Sequence, residues 1–261
     1  MPWAARYALL PLLMLAALSV PPPALAVRLP AFEAGETVTI GAVVDGGEVV
    51  LADGRRVRLV GIEAPHPAAA HSRSWPYAEE AKAALEKLVL GREVELRFAG
   101  NRRDRYGRIL AHIFVGKRWV QSEMIRRGLA RVASAADNRR GVVEMLARED
   151  RARQARRGIW RDRFYAVRAA EEAGRYAGSF QIVEGTVVDT AIVEGQLFVN
   201  FGSDWRTAFS LRLPSDALRL FRTEGIDATA LKGARVRVRG WIRGSERPII
   251  DVTHPEQIER L

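Results

Sequence analysis

Two tight turns close together constrain this chain more than any other feature. Asp45-Gly46-Gly47 and Asp53-Gly54 separate three β-rich runs, Thr37–Val44, Glu48–Ala52 and Arg55–Val60, and Asp-Gly between such runs is a hairpin signal. Short strands joined this way suggest a small barrel. A helical pattern follows from Trp75. Pro76 suits its first turn, Ala78, Ala81, Leu85, Leu88 and Val89 share one face, and Gly91 lies just past its end. Glu93–Phe98 and Ile109–Val115 read as two more strands, Val120–Arg127 as a helix stopped at Gly128, and Val142–Arg157 as a helix ending at Gly158-Ile159-Trp160. Five strands with a helix after the third is the order of an OB-type barrel. The chain thus reads as mainly β with α: a five-stranded barrel with three helices over residues 36–162.

Residues 163–179 read as a linker, since Arg168–Ser179 (RAAEEAGRYAGS) is polar, alanine-rich and carries two glycines. Beyond it the β pattern returns in Gln181–Thr190, Gln196–Asn200, Ala208–Leu213, Arg235–Ile242 and Ile249–Val252, with a helical segment, Asp216–Phe221, after the third run. Leu231-Lys232-Gly233 leading into Val236, Val238 and Gly240-Trp241-Ile242 resembles the fourth strand of OB-type nucleic-acid-binding domains. Residues 180–261 are therefore expected to form a second, smaller OB-like barrel. Arg235, Arg237 and Arg239 alternate with valines on one face of a strand, with Phe201, Trp205, Phe209 and Trp241 elsewhere in the domain. Two readings stay open: a nucleic-acid platform of basic and stacking groups, or a solvated arginine face above core aromatics.

The formal charge of +10, from 41 Lys+Arg against 31 Asp+Glu, suits anionic partners such as nucleic acid or a lipid surface, and equally an ordinary arginine-rich surface. Cysteine is absent, which excludes disulfides and cysteine-ligated zinc. Residues 1–26 read as a cleavable secretory signal: Arg6, an apolar run Tyr7–Val20, three prolines and Ala24-Leu25-Ala26. The apolar run is shorter than the ~20 residues of a spanning helix, and Pro11 interrupts it. The expected product is periplasmic or secreted, without a stable membrane anchor.

Val57–His66 (VRLVGIEAPH) is the stretch that carries chemistry. A strand ends at Gly61, and the turn presents Glu63 beside Arg58. Together with Asp45-Gly46, with DRYGRILA from Asp104, and with RRGLA and RRGIW further on, it resembles the thermonuclease, or staphylococcal nuclease-like, family. The resemblance covers roughly the middle half of the chain. It implies phosphodiester hydrolysis with calcium. Arg58 and Arg108 stand where that family binds the scissile phosphate and its transition state, a task to which paired guanidiniums are suited, and Arg105 and Tyr106 stand where it contacts a nucleotide phosphate. Glu63 and the Ala64 carbonyl fall at metal-ligand positions. The departures are specific: Gly47 replaces a ligand aspartate, Glu63 lengthens another, His66 replaces the glutamate that handles water, and Ser134 and Ala136 replace stacking tyrosines. Calcium takes about 6–8 oxygens and weakens as carboxylates are lost. His66 could itself act as a general base, or join Glu63 and His71 around a transition metal.

Three functions fit these residues. One is an exported nucleic-acid-binding protein whose calcium-dependent hydrolysis is weak or lost, binding DNA or RNA through phosphates with Arg105, Tyr106, Arg235, Arg237 and Arg239 as contacts. Another is an active phosphodiesterase with rearranged groups: Arg58, Glu63, Arg108 and His66. The third is a structural or interaction module of the envelope.

Overall fold

The computed structural model describes residues 31–68 and 73–261; the signal segment and His71 lie outside them. The first unit contains β1 (Glu33–Asp45), β2 (Glu48–Leu51), β3 (Arg56–Leu59), β4 (Gly61–Glu63), α1 (Ala78–Val89), β5 (Glu93–Phe98), β6 (Ile109–Val115), β7 (Arg118–Trp119), α2 (Val120–Arg126), β8 (Arg131–Ala133) and α3 (Val142–Gln154). β1 is long and bent. Its first half pairs with β5, and from Ile40 on it pairs with β2 through two irregularities in register. β2 pairs with β3, β3 runs parallel to β6, and β6 returns to β5. The ring therefore closes in the order β1-β2-β3-β6-β5, which leaves no open edge. α1 lies in sequence after the third ring strand, as expected. Its apolar stripe of Ala81, Ala84, Leu85, Leu88 and Val89 enters one core with Ile40, Val49, Val57, Leu96 and Ile113.

The second unit repeats this ring. It contains β9 (Arg168–Ala169), β10 (Phe180–Thr186), β11 (Asp189–Val193), β12 (Gln196–Asn200), β13 (Ser210–Leu213), α4 (Ser215–Thr223), β14 (Arg235–Arg243), β15 (Ile249–Asp251) and β16 (Ile258–Arg260). β10 and β11 act as the two halves of one bent first strand, broken at Val187 and Val188. β10 pairs with β14 and β11 with β12, then β12 with β13, β13 parallel to β15, and β15 with β14. Its core is separate and includes Val183, Leu197, Leu211, Val236, Val238 and Ile250. No helix of the described residues is long and apolar enough to cross a membrane.

Residues 163–179 differ from the linker expectation. Arg168–Ala169 adds as a parallel strand to β10, and Ala170–Tyr176 forms a short 3-10 helix whose Ala170 and Ala173 are buried in the second core. Small side chains that read as flexible composition serve here for close packing. α3 also stops three residues before the expected Arg157, because Arg156 takes a left-handed conformation, φ 48°, which ends a helix.

The two barrels meet through buried charge. Arg239 Nη1 donates to Glu149 Oε2 at 2.7 Å, and Glu149 Oε1 accepts from Val132 N at 2.6 Å. Arg131 Nη1 donates to the Phe180 carbonyl at 3.1 Å, with its guanidinium over the rings of Phe180, Tyr165 and Trp75. Ser134 Oγ and His254 Nε2 lie 2.7 Å apart, and Arg139 reaches Glu256 at 2.8 Å.

Candidate functional site

The site lies at one end of the β1-β2-β3 meander. Asp45 is the last residue of β1, and its Oδ1 accepts from Gly47 N at 2.7 Å, which fixes the turn into β2. Across that turn Arg58 on β3 pairs in register with Glu48 on β2. At Gly61 the chain turns out of the barrel with φ 79°, a left-handed value that suits glycine, and a Cβ there would meet Met145 Cε at 2.6 Å. The turn brings Glu63 back onto Arg58: Nη2 donates to Oε2 at 3.1 Å. His66 Nε2 contacts the other oxygen, Oε1, at 2.5 Å, and its ring lies edge-on to Trp75 at 4.7 Å.

Arg108 is positioned by a different device. Asp104 Oδ1 accepts from the backbone of Tyr106 and Arg108 at 2.9 and 3.0 Å, while its Oδ2 accepts from Arg108 Nε at 2.7 Å. Glu48 Oε2 accepts from Arg108 Nη1 at 2.6 Å. Burial opposes the Arg108 charge, but Asp104 and Glu48 outweigh it and raise its pKa. Burial likewise pushes Asp104 up, but hydrogen bonds from Arg108 and Tyr106 hold it below the ordinary carboxylate range. Tyr106 is 68% exposed, with Arg105 and Arg108 4.9 and 5.5 Å from its ring centroid. Arg56, Tyr106 and Arg108 line an open groove of about 330 Å³ at the mouth.

The structure thus brings together Arg58, Glu63 and His66, with Asp45 3.9 Å from Arg58, and sets Arg108, Arg105 and Tyr106 beside them through Glu48. Of the three β14 arginines expected as contacts, Arg239 lines one cavity of about 440 Å³ with Arg58 and Glu63, whereas Arg235 and Arg237 do not reach it. Arg235 is exposed and paired with Glu184, Arg237 is held between Glu184 and Glu259, and Arg239 is 1% exposed at the junction of the barrels. The expected basic platform is corrected to a set of ion pairs: glutamates on neighbouring strands and on α3 use the same face. Its aromatics are dispersed as well, since Phe201 and Phe209 are core residues, whereas Trp205 and Trp241 are exposed. Ser134 faces His254 of the second barrel. Sequence reasoning missed Glu48. Residues 46–47 are a turn, so β2 begins at Glu48, which is buried and bonds both Arg56 and Arg108. Trp75 was missed too; its indole carries no charge to flag it.

The residues present do not fit a calcium ion. Both Glu63 oxygens already meet cationic or polar partners, Asp45 Oδ1 is engaged by a backbone amide, and Ala64 is a buried methyl beside Gly46 and Gly47. Among the described residues no three His, Asp or Glu side chains converge as metal ligands.

A closed five-stranded barrel with Arg58 and a short acidic turn on its meander, and Arg108 on the loop before its last ring strand, is an OB-type scaffold. Residues 56–162 match the staphylococcal nuclease homologue family, and this part of the chain belongs to it. Among its relatives, endonuclease YncB of Bacillus subtilis is 32% identical over 128 residues, 47% of this chain and 61% of that protein. A probable staphylococcal-like nuclease, CAN1, of Oryza sativa is 38% identical over 114 residues, covering 44% and 31%. The thermonuclease of Staphylococcus hyicus is 25% identical, covering 48% and 76%. The chain spans 61% of the first of these relatives and about a third of the second, and the family match ends at residue 162, before the second barrel.

Proposed function

We propose that the chain is an exported nucleic-acid-binding protein on a thermonuclease-like scaffold, with calcium-dependent phosphodiester hydrolysis weak or lost. One observation supports this above the rest: Glu63, the acid that points into the site, has one oxygen on Arg58 and the other on His66. A cation there finds both Glu63 oxygens engaged and only Asp45 Oδ2 free of a partner among the described residues, too few oxygens for calcium, and His66 adds no negative charge where the scaffold needs it. Phosphate binding keeps its parts. Arg58 and Arg108 offer guanidiniums at the floor, and Arg105 with Tyr106 stands at the rim. The signal-like segment at residues 1–26 supports the export half of the reading.

The test is digestion of single- and double-stranded DNA across calcium concentrations, with Arg58→Ala as the control for a contaminating nuclease. The unmodified protein should cleave very slowly or not at all. Gly47→Asp with His66→Glu should gain calcium-stimulated cleavage. A Cβ at residue 47 meets Arg58 Nη1 at 3.1 Å and the Ala64 Cβ at 3.7 Å, so the new carboxylate lands at the arginine with only a flexible side chain to shift. Ready calcium-dependent cleavage by the unmodified protein, abolished in Arg58→Ala, overturns the reading.

The Glu63–His66 contact also favours a second reading, a phosphodiesterase whose base is an imidazole oriented by a carboxylate. That enzyme would cleave in the presence of a chelator, and His66→Gln would remove the activity together with its dependence on pH.

A further inference from the structure

The first barrel builds its site from the meander of its first three ring strands and the loop between the fourth and fifth, which carries Arg105 and Arg108. On the second barrel the equivalent place is the β11-β12-β13 face with loop 244–248. An open groove of about 780 Å³ lies there. Phe198 from β12, Trp205 from the following loop and Arg247 from the loop between the fourth and fifth ring strands line it. The Arg247 guanidinium lies 5.0 Å from the Trp205 ring centroid and 6.0 Å from that of Phe198, and Arg206 stands 4.9 Å from Trp205 on its own loop. Lys232, also in the groove, is tied to Asp189 at 2.8 Å. Arg206 and Arg247 meet no carboxylate within ion-pair distance among the described residues. Trp205 is 48% exposed.

We propose that this groove binds single-stranded nucleic acid, with bases stacked on Trp205 and Phe198 and the linking phosphate on Arg247 and Arg206. Aromatic rings covered by guanidiniums that no carboxylate holds suit unpaired bases and their phosphates, since a base can take the ring face while the displaced guanidinium moves to the linking phosphate, and a duplex, whose bases are stacked on each other, offers no face to them. Residues 180–261 carry 11 Lys+Arg against 11 Asp+Glu. The barrel therefore has no net charge to attract a polyanion from a distance, and stacking supplies most of the affinity. Binding here is set apart from the arginine site of the first barrel, which is salt-sensitive.

The experiment is anisotropy of a labelled twelve-residue oligothymidylate and of a duplex of equal length, titrated with the full chain at low and raised salt. At raised salt the single strand should be retained in preference to the duplex, and Trp205→Ala should weaken it about tenfold. Arg247→Ala should weaken it several-fold. Both side chains are exposed, so thermal melting followed by circular dichroism should be unchanged and exclude misfolding. Unaltered single-strand binding by both variants, or an equal loss for single strand and duplex, overturns the proposal. If only Arg105→Ala lowers binding, the groove is excluded while the function proposed above stands; if the unmodified chain binds neither nucleic acid, both fail. A Trp205-dependent change in sedimentation with no effect on DNA binding assigns the groove to a second copy of the chain and overturns it too.

Discussion

The two barrels share one strand order and differ in what they do with arginine. Residues 36–162 hold 25 Lys+Arg against 17 Asp+Glu, whereas residues 180–261 are balanced at 11 and 11. In the first barrel Arg58 and Arg108 stand part-exposed at the mouth of the ring, each leaning on acids that orient it. In the second, Arg237 and Arg239 on β14 turn toward Glu184, Glu259 and Glu149 and hold strands and barrels together, while Arg235 on the same face stays exposed. The same side chain in the same fold is a ligand group or a fastening according to where its acidic partners sit. Net charge and alternation report neither outcome.

The largest test of that contrast is at the junction. Arg239→Met leaves Glu149 charged and buried without its partner, and such a loss costs about 3–5 kcal/mol. Urea unfolding should show it, while Arg235→Ala, on the exposed end of the same strand, should change stability by less than about 0.5 kcal/mol. Equal effects would erase the distinction between fastening and surface charge.

Histidine gives a somewhat smaller effect. Burial pushes His254, at the junction, down to about 4, and His112, in the first core, down to about 3. The folded chain keeps both neutral, whereas the unfolded chain takes up protons once pH falls below the ordinary value of about 6.5. Stability is therefore full above about 6.5 and declines as pH drops toward the folded values, by at most about 3 kcal/mol for His254. Melting temperature measured from pH 7 to pH 4 should fall, and His254→Asn should flatten part of the slope. A slope unchanged by that substitution places the effect in the first barrel alone.

For nucleic acid, Arg105→Ala should lower affinity several-fold and reduce the salt slope by about one; Arg235→Ala should leave the slope as it was. The smallest expected change is from calcium itself. Millimolar calcium should move the melting temperature of the unmodified protein by less than about 1 °C, since an ion that does not bind the folded state cannot stabilise it. Gly47→Asp with His66→Glu should respond.

The rings were legible because their signals are local. Asp-Gly turns, alternating valines and the α1 stripe each lie within a dozen residues, and the observed strands fall within a few residues of those expected from them. The strand break at Val187 and Val188, the β4–β8 pair and the packing of Ala170 and Ala173 were not, since each depends on a partner far along the chain. At the site, the family resemblance named Arg58, Glu63 and Arg108, and the structure holds Glu63 against Arg58. What the motif could not carry was who holds whom: that Glu63 is shared by Arg58 and His66, that Glu48 braces Arg108, and that Ser134 faces His254. Those contacts join segments up to 120 residues apart, and no periodicity links them.

Glu149 belongs to two barrels at once, and the chain is made from one end. Its partner Arg239 follows 90 residues later, so during synthesis the first ring can close while the Glu149 carboxylate still stands in a wet crevice. Arrival of β14 gives that carboxylate its cation and completes its burial. The first barrel thus has a form in which Glu149 holds only the Val132 amide and a finished one in which Arg239 joins it. A chain truncated before β14 stays in the first form, with an unpaired charge at a place that the finished molecule buries.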